Sequence, residues 1–194
     1  MPAPTIRAVA FDFDETLYDR RAAVDRLLRA WLPGISAQQA DQFHVLDGSG
    51  YGDRMPLFRW LCGEMAESPA VAMTLEARFR QELPAFLIPD DDAVPVLESL
   101  KARGFTLAVL TNGQSVYQRA KLAASGLLPH FSPDRVLVTG EVGWHKPDAR
   151  AFAALVQAHQ GYLRKLRPDG LLILHLSNRH LELNDPAMAA VAKA

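Results

Sequence analysis

The sequence predicts an α/β fold built around a parallel β-sheet, and three observations lead to this prediction. A mostly apolar run at 6–13 has the length of a strand and is apolar on both faces, as is typical of a strand buried in a parallel sheet. A second such run covers 105–110, and helical patterns at 93–103 and 114–125 stand on either side of it. The length of 194 residues and the hydrophobic share of 49% are sufficient for one core and a small second lobe.

Two carboxylates, Asp12 and Asp14, stand at the end of the first predicted strand. Residues two apart on a strand point to the same side, about 6–7 Å apart, and open α/β sheets bind their ligands at the carboxyl ends of strands. Neighbouring acids repel each other, so the pair predicts either a divalent cation between them or a nucleophile beside an acid that holds a proton. Turn-forming aspartates at a strand end are the ordinary alternative.

The next stretch, about 19–90, interrupts the sheet with helical patterns around 23–31, 56–65 and 71–83. The glycine-rich run 46–53 predicts a flexible loop between the first two of these helices. Because the insertion comes directly after the acidic pair, where a lid would attach, we interpret it as a lid over the site. Helices that simply pack on the sheet are the alternative.

The second strand runs into Thr111, Asn112 and Gly113, just ahead of the helix predicted at 114–125. A hydroxyl at a strand end, followed by a glycine turn and the free amide hydrogens of a helix N-terminus, suits a phosphate group. An Asn-Gly pair is also a very common turn. It is the position of this motif at the end of the next strand that favours phosphate binding.

A third short strand, predicted at 135–138, is followed by His145, Lys146 and Pro147. Proline suits the first turn of a helix, so Pro147 is expected to lie in the first turn of the next helix, predicted from about Asp148, and to hold Lys146 just before it. A lysine there would offset the negative charge of a carboxylate that faces a phosphate, although most lysines are surface charges. His145 is expected to line the entrance.

The Asp-x-Asp-x-Thr-Leu motif, the Thr-Asn-Gly turn and the Lys-Pro pair thus fall at the ends of three consecutive strands. In this order and spacing, residues 1 to about 158 resemble the phosphatases of the haloacid dehalogenase-like (HAD) superfamily. The resemblance implies a three-layer, Rossmann-like core formed by 1–18 and 91–160. It also implies that 19–90 is a helical cap inserted after the first strand.

The resemblance also implies roles for the motif residues. Asp12 would be the nucleophile that forms an aspartyl-phosphate, and Asp14 would be the general acid and base. Mg²⁺ would be held by Asp12 and Asp14, and the substrate would be a small phosphorylated metabolite. Members that dehalogenate carry a different residue at the position of Asp14. The phosphoryl group would be bound by residues of the second and third motifs: Thr111, Asn112, Gly113 and Lys146.

The family's fourth motif, one or two acids that complete the magnesium site, is missing from its expected place. The strand predicted at 171–176 ends in Ser177 and Asn178 instead. Asn178 would offer Mg²⁺ a neutral oxygen, and Glu182 could reach the metal if its loop folded back, although Mg²⁺ prefers carboxylates and water. The alternative to an impaired phosphatase is therefore a non-catalytic HAD-like protein that binds phosphate or a partner.

The carboxyl-terminal segment, 161–194, is atypical for this family and is expected to add a strand and a helix to the core. Its residues 162–183 resemble a late strand region of spermidine-synthase-like and other methyltransferase-like proteins, without their cofactor-binding loop. This suggests a junction near 157–161, produced by a gene fusion, a frameshift or an assembly error. A function in aminopropyl or methyl transfer is the third hypothesis.

The remaining composition excludes several classes of partner. The net charge of −1 gives no attraction to nucleic acid or to an acidic membrane surface, and no apolar run is long enough to span a bilayer. Cys62 is the only cysteine, so no intrachain disulfide can form. Together with the lack of a signal-peptide pattern, these features predict a cytoplasmic protein.

Overall fold

The computed structural model describes residues 6–158 and 171–175, which form two compact units. One unit combines 6–18 with 89–158 and 171–175, and the other is the continuous stretch Asp19–Ile88. The insertion predicted from the sequence runs from 19 to 90. The resemblance of 162–183 to methyltransferase-like proteins lies outside the described residues, apart from the strand at 171–175.

The first unit contains a parallel sheet of four strands: β1 (Ile6–Phe11), β2 (Thr106–Thr111), β3 (Val136–Val138) and β4 (Leu171–His175). Their order in the sheet is β3-β2-β1-β4, and every neighbouring pair is parallel. The predicted α/β class is thereby confirmed. Because β1 has a neighbour on both sides, its carboxyl end lies in the middle of the sheet edge.

Eight α-helices lie within the described residues: α1 (Arg20–Trp31), α2 (Ala37–Asp47), α3 (Met55–Glu64), α4 (Ala72–Glu82), α5 (Ala93–Ala102), α6 (Ser115–Ala124), α7 (Thr139–Val142) and α8 (Ala149–Ala158). Short 3₁₀ turns connect several of them. Apolar side chains from β1, β2, β3 and α8 form one cluster of the core: Ala10, Ala108, Leu110, Leu137, Phe152 and Leu155.

The second unit packs α1 to α4 around buried aromatic rings. Phe43, Phe58 and Phe79 are fully buried, with ring centroids 5.8 Å apart for Phe43 and Phe79 and 5.7 Å apart for Phe58 and Phe79. The buried carboxylate of Asp47 accepts hydrogen bonds from Arg20 at 2.5 Å and from Arg54 at 2.8 Å. A buried charge is tolerated when it is paired in this way.

Two details differ from the sequence-based expectation. Helix α2 was not predicted, because only Phe43 and Asp47 are buried along it; its start is fixed instead by a capping box between Ser36 and Gln39. Helix α8 begins at Ala149 rather than at about Asp148, so Pro147 lies before the helix and not in its first turn. Asp148 takes the place before it, where its carboxylate accepts a hydrogen bond from the backbone N–H of Arg150 at 2.9 Å.

No helix in the described part of the chain has the length and hydropathy that a membrane crossing requires.

Candidate active site

The carboxyl ends of β1 and β2 and the loop that follows α7 carry the predicted site residues. Asp12 follows β1 directly, Thr111 is the last residue of β2, and Lys146 lies beyond β3 and α7. Thr111 and Lys146 are both buried, and the Lys146 Nζ lies 2.7 Å from the Asp12 Oδ1. The structure thus brings the first and third motifs into direct contact.

The Asp12 carboxylate is held on one side. Its Oδ1 forms an ion pair with the Lys146 ammonium and accepts a hydrogen bond from the backbone N–H of Phe13 at 2.7 Å. Burial raises the pKa of Asp12 above its ordinary value, against the lowering effect of Lys146 and the Phe13 N–H, and the neighbouring Asp14 raises it further. Both of these described contacts fall on Oδ1 of the carboxylate.

The Asp14 carboxylate is surrounded by donors. The Tyr18 hydroxyl and the Lys121 ammonium donate to Oδ1, and the Gln118 side-chain amide donates to Oδ2 at 2.8 Å. Burial alone would raise the pKa of Asp14, but the charge and hydrogen bond of Lys121, with those of Tyr18 and Gln118, lower it to about 2. Asp14 is therefore a carboxylate whose two oxygens are both engaged.

Sequence reasoning missed Gln118 and Lys121, which lie three residues apart on one face of α6. Both are buried. A polar residue on a helix is usually solvated, and their partner Asp14 is more than a hundred positions away in the chain. The one available signal was their helical spacing with Leu122 and Ser125, which marks them as part of the face of α6 that packs inward.

The Thr-Asn-Gly turn connects the motifs rather than standing free. The Asn112 amide donates to the Lys146 carbonyl at 3.0 Å, and its oxygen accepts the Lys146 backbone N–H at 2.9 Å. The Gly113 N–H donates to the Thr139 hydroxyl at 3.2 Å, and that hydroxyl is also 2.9 Å from the His145 Nδ1. The side chain of Asn112 and the amide of Gly113, both predicted to bind phosphate, are thus engaged within the protein.

Gly140 is a further residue on which this arrangement depends. Its N–H donates to the Gly113 carbonyl at 3.0 Å, and a Cβ added at Gly140 would lie 2.5 Å from that carbonyl oxygen. Such a contact is shorter than van der Waals packing allows, so the turn that follows Thr111 requires glycine at this position.

We therefore expect Gly140→Ala to lower the free energy of unfolding by about 1–3 kcal/mol, the usual cost of overpacking. Denaturant unfolding followed by circular dichroism measures it. Gly63→Ala is the matched control, because Gly63 lies inside α3 and an added Cβ meets nothing within 4 Å. The control should be neutral or stabilising by about 0.4–1 kcal/mol. Equal stability of the two variants would contradict the close approach.

The described residues offer part of a metal site. They contain no group of three or more His, Cys, Asp or Glu side chains that could hold a metal ion. Asn178 and Glu182, the predicted stand-ins for the fourth motif, lie outside the described residues. The Asp12 carboxylate is nevertheless a hard oxygen ligand of the kind that Mg²⁺ takes, commonly with one or two carboxylates, several waters and substrate oxygens. The chemistry of this one carboxylate fits such a cation.

Comparison with known proteins finds sequence matches to a family of hydrolases. A sequence profile of the haloacid dehalogenase-like hydrolases matches residues 6–166. The chain is 31% identical over 162 residues to the glyceraldehyde 3-phosphate phosphatase of Methanothermobacter thermautotrophicus, a match that covers 76% of this chain and 69% of that protein. It is 43% identical over 100 residues to the phosphoserine phosphatase of Thermus thermophilus, which covers 51% of this chain and 39% of that protein.

Among solved structures, the HAD-hydrolase YfnB of Bacillus subtilis has a similar fold. Its crystal structure, with magnesium bound, superposes with a TM-score of 0.66 at 21% identity. The superposition covers 96% of this chain and 84% of that one. At this level of identity the likeness supports the fold.

Proposed function

The chain belongs to the haloacid dehalogenase-like hydrolase family, and we propose that it is a Mg²⁺-dependent phosphomonoester phosphatase acting through an aspartyl-phosphate on Asp12. The contact between the Lys146 Nζ and the Asp12 Oδ1 at 2.7 Å carries the proposal. It places this carboxylate and a charge-neutralising ammonium together at the middle of the sheet edge, where open α/β sheets bind ligands. In relatives of this kind the substrates named are small phosphorylated metabolites.

The first half-reaction is a phosphoryl transfer to Asp12. A bond forms between a carboxylate oxygen of Asp12 and phosphorus as the bond from phosphorus to the leaving alcohol breaks. The Thr111 hydroxyl donates to a phosphoryl oxygen, and the Lys146 ammonium offsets the negative charge that collects beside Asp12. Asp14 gives a proton to the leaving oxygen. The pKa of Asp14 is lowered to about 2 without substrate, so this step requires that the bound phosphate dianion raise that pKa and that Asp14 take up a proton before the transfer.

The second half-reaction is hydrolysis of the aspartyl-phosphate. Asp14, now a carboxylate, takes a proton from a water molecule as its oxygen attacks phosphorus, which releases inorganic phosphate and restores Asp12. Mg²⁺, held by the Asp12 carboxylate and the Asp14 backbone carbonyl, would supply the positive charge that offsets repulsion between carboxylate and phosphate. We further propose that Asp19–Ile88 is the cap that confers substrate preference.

Hydrolysis of p-nitrophenyl phosphate by the purified chain tests this proposal. We expect turnover with Mg²⁺, none after chelation with EDTA, and recovery when Mg²⁺ is restored. Phosphoserine, glyceraldehyde 3-phosphate and nucleoside monophosphates then form the substrate panel. A folded chain without turnover, which still binds inorganic phosphate by calorimetry, would contradict the phosphatase and favour the phosphate-binding alternative. Halide release from a 2-haloacid would instead indicate a dehalogenase.

A further inference from the structure

Lys121 is a buried lysine that the family motifs do not use. Its side chain is 3% exposed, and its Nζ lies 5.5, 5.7 and 5.0 Å from the ring centroids of Phe13, Tyr18 and Tyr117. A buried ammonium is costly unless it is paired, and aromatic faces compensate only part of that cost. Its ion pair is with Asp14, and its further hydrogen bond is to the Tyr18 hydroxyl at 3.2 Å.

Gln118 connects two residues of the proposed reaction. Its Nε2 is 2.8 Å from the Asp14 Oδ2, 2.5 Å from the Thr111 Oγ1 and 2.9 Å from the Asn112 carbonyl oxygen. An amide nitrogen cannot accept and carries two protons, which it shares among these three oxygens. Because the amide nitrogen cannot accept, the hydroxyl proton of Thr111 points away from Gln118.

We propose that Gln118 and Lys121 are positioning residues of the phosphatase reaction, which fix the Asp14 carboxylate and, through Gln118, orient the Thr111 hydroxyl for phosphate. The inference rests on the proposed function, since it is Asp14 and Thr111 that meet the substrate. The two side chains lie one helical turn apart on α6. Helix α6 therefore positions both the Asp14 carboxylate and the Thr111 hydroxyl.

The two residues should give different kinetic signatures. Gln118 contacts both Asp14 and Thr111, whereas the ion pair of Lys121 is with Asp14. Lys121→Met should lower kcat by about tenfold or more while the inhibition constant of inorganic phosphate stays within about twofold of wild type. The loss should be larger for an alkyl phosphate than for p-nitrophenyl phosphate, since a poor leaving group depends more on a well-placed acid. A purely structural role would not produce that leaving-group dependence.

Gln118→Met should lower kcat and also raise the inhibition constant of inorganic phosphate by about tenfold, because the Thr111 hydroxyl is no longer oriented. Gln118→Glu has the same size but places an acceptor beside Thr111 and a negative charge beside Asp14. Gln118→Glu should therefore have a lower kcat and a higher inhibition constant of inorganic phosphate than Gln118→Met. Gln81→Met and Lys101→Met, at exposed positions, are the matched controls and should behave as wild type.

The outcomes separate this inference from the function on which it rests. A wild-type chain without Mg²⁺-dependent turnover would overturn the proposed function and the inference with it. An active wild type, with folded variants that keep its kcat, leaving-group ratio and phosphate inhibition, would overturn the inference alone. So would variants that only lose thermal stability while their remaining active fraction keeps the wild-type ratio and inhibition constant.

Discussion

Asp12→Asn is expected to abolish phosphatase turnover, with kcat lowered by at least about a thousandfold, the order of loss typical when a nucleophile is removed. The neutral amide is a poor nucleophile and cannot form an acyl phosphate. Its size is the same, so the hydrogen bond from the Phe13 N–H at 2.7 Å can persist on its oxygen. Because the substitution also removes the charge that pairs with the buried Lys146 ammonium, thermal unfolding of the variant is measured beside its activity.

Steady-state hydrolysis of p-nitrophenyl phosphate and mass spectrometry of acid-quenched enzyme measure this effect. Wild type should show a phosphoryl adduct on the peptide that contains Asp12, and the variant should not. Asp91→Asn is the control, an exposed aspartate in the same unit whose substitution should change neither readout. A variant that retained turnover within tenfold of wild type would exclude Asp12 as the nucleophile.

The positions of residues at strand ends could be predicted from the sequence. The apolar runs predict buried parallel strands, and the carboxyl ends of parallel strands share one edge of a sheet, so Asp12 and Thr111 could be placed near one another without coordinates. Lys146 could be placed only through the family resemblance, because α7 and a loop separate it from β3. Its contact with Asp12 depends on the conformation of that loop, which no periodic pattern in the sequence predicts.

Polar contacts between distant segments of the chain could not be predicted from the sequence. Asn112 and Gly113 look like an ordinary turn that offers its amides to a ligand, whereas the structure pairs them with Lys146 and Thr139. Gln118 donates to Asp14 across 104 positions of sequence. Such hydrogen bonds depend on which loops meet, and composition or helical spacing carries little information about that.

Lys146→Met is the second change with a large expected effect. The ammonium of Lys146 contacts the nucleophile at 2.7 Å, and its side chain is only 5% exposed, so water cannot replace its charge. Methionine keeps much of the volume and removes the charge. We expect kcat to fall by about 10²–10³-fold, as when one preorganised charge-stabilising group is lost from a site. Steady-state kinetics measures it, with Lys101→Met as the exposed control and Lys146→Arg expected to recover part of the activity.

The comparison of Lys146→Met with Lys121→Met tests the separate roles proposed for the two aspartates, Asp12 as nucleophile and Asp14 as general acid and base. Each buried lysine is paired with one of them: Lys146 with Asp12 and Lys121 with Asp14. Loss of Lys146 should slow alkyl and aryl phosphates by similar factors, because the charge beside the nucleophile is needed whatever the leaving group. Loss of Lys121 should slow alkyl phosphates more, because it disturbs the acid. The reverse pattern would exchange the roles proposed for Asp12 and Asp14.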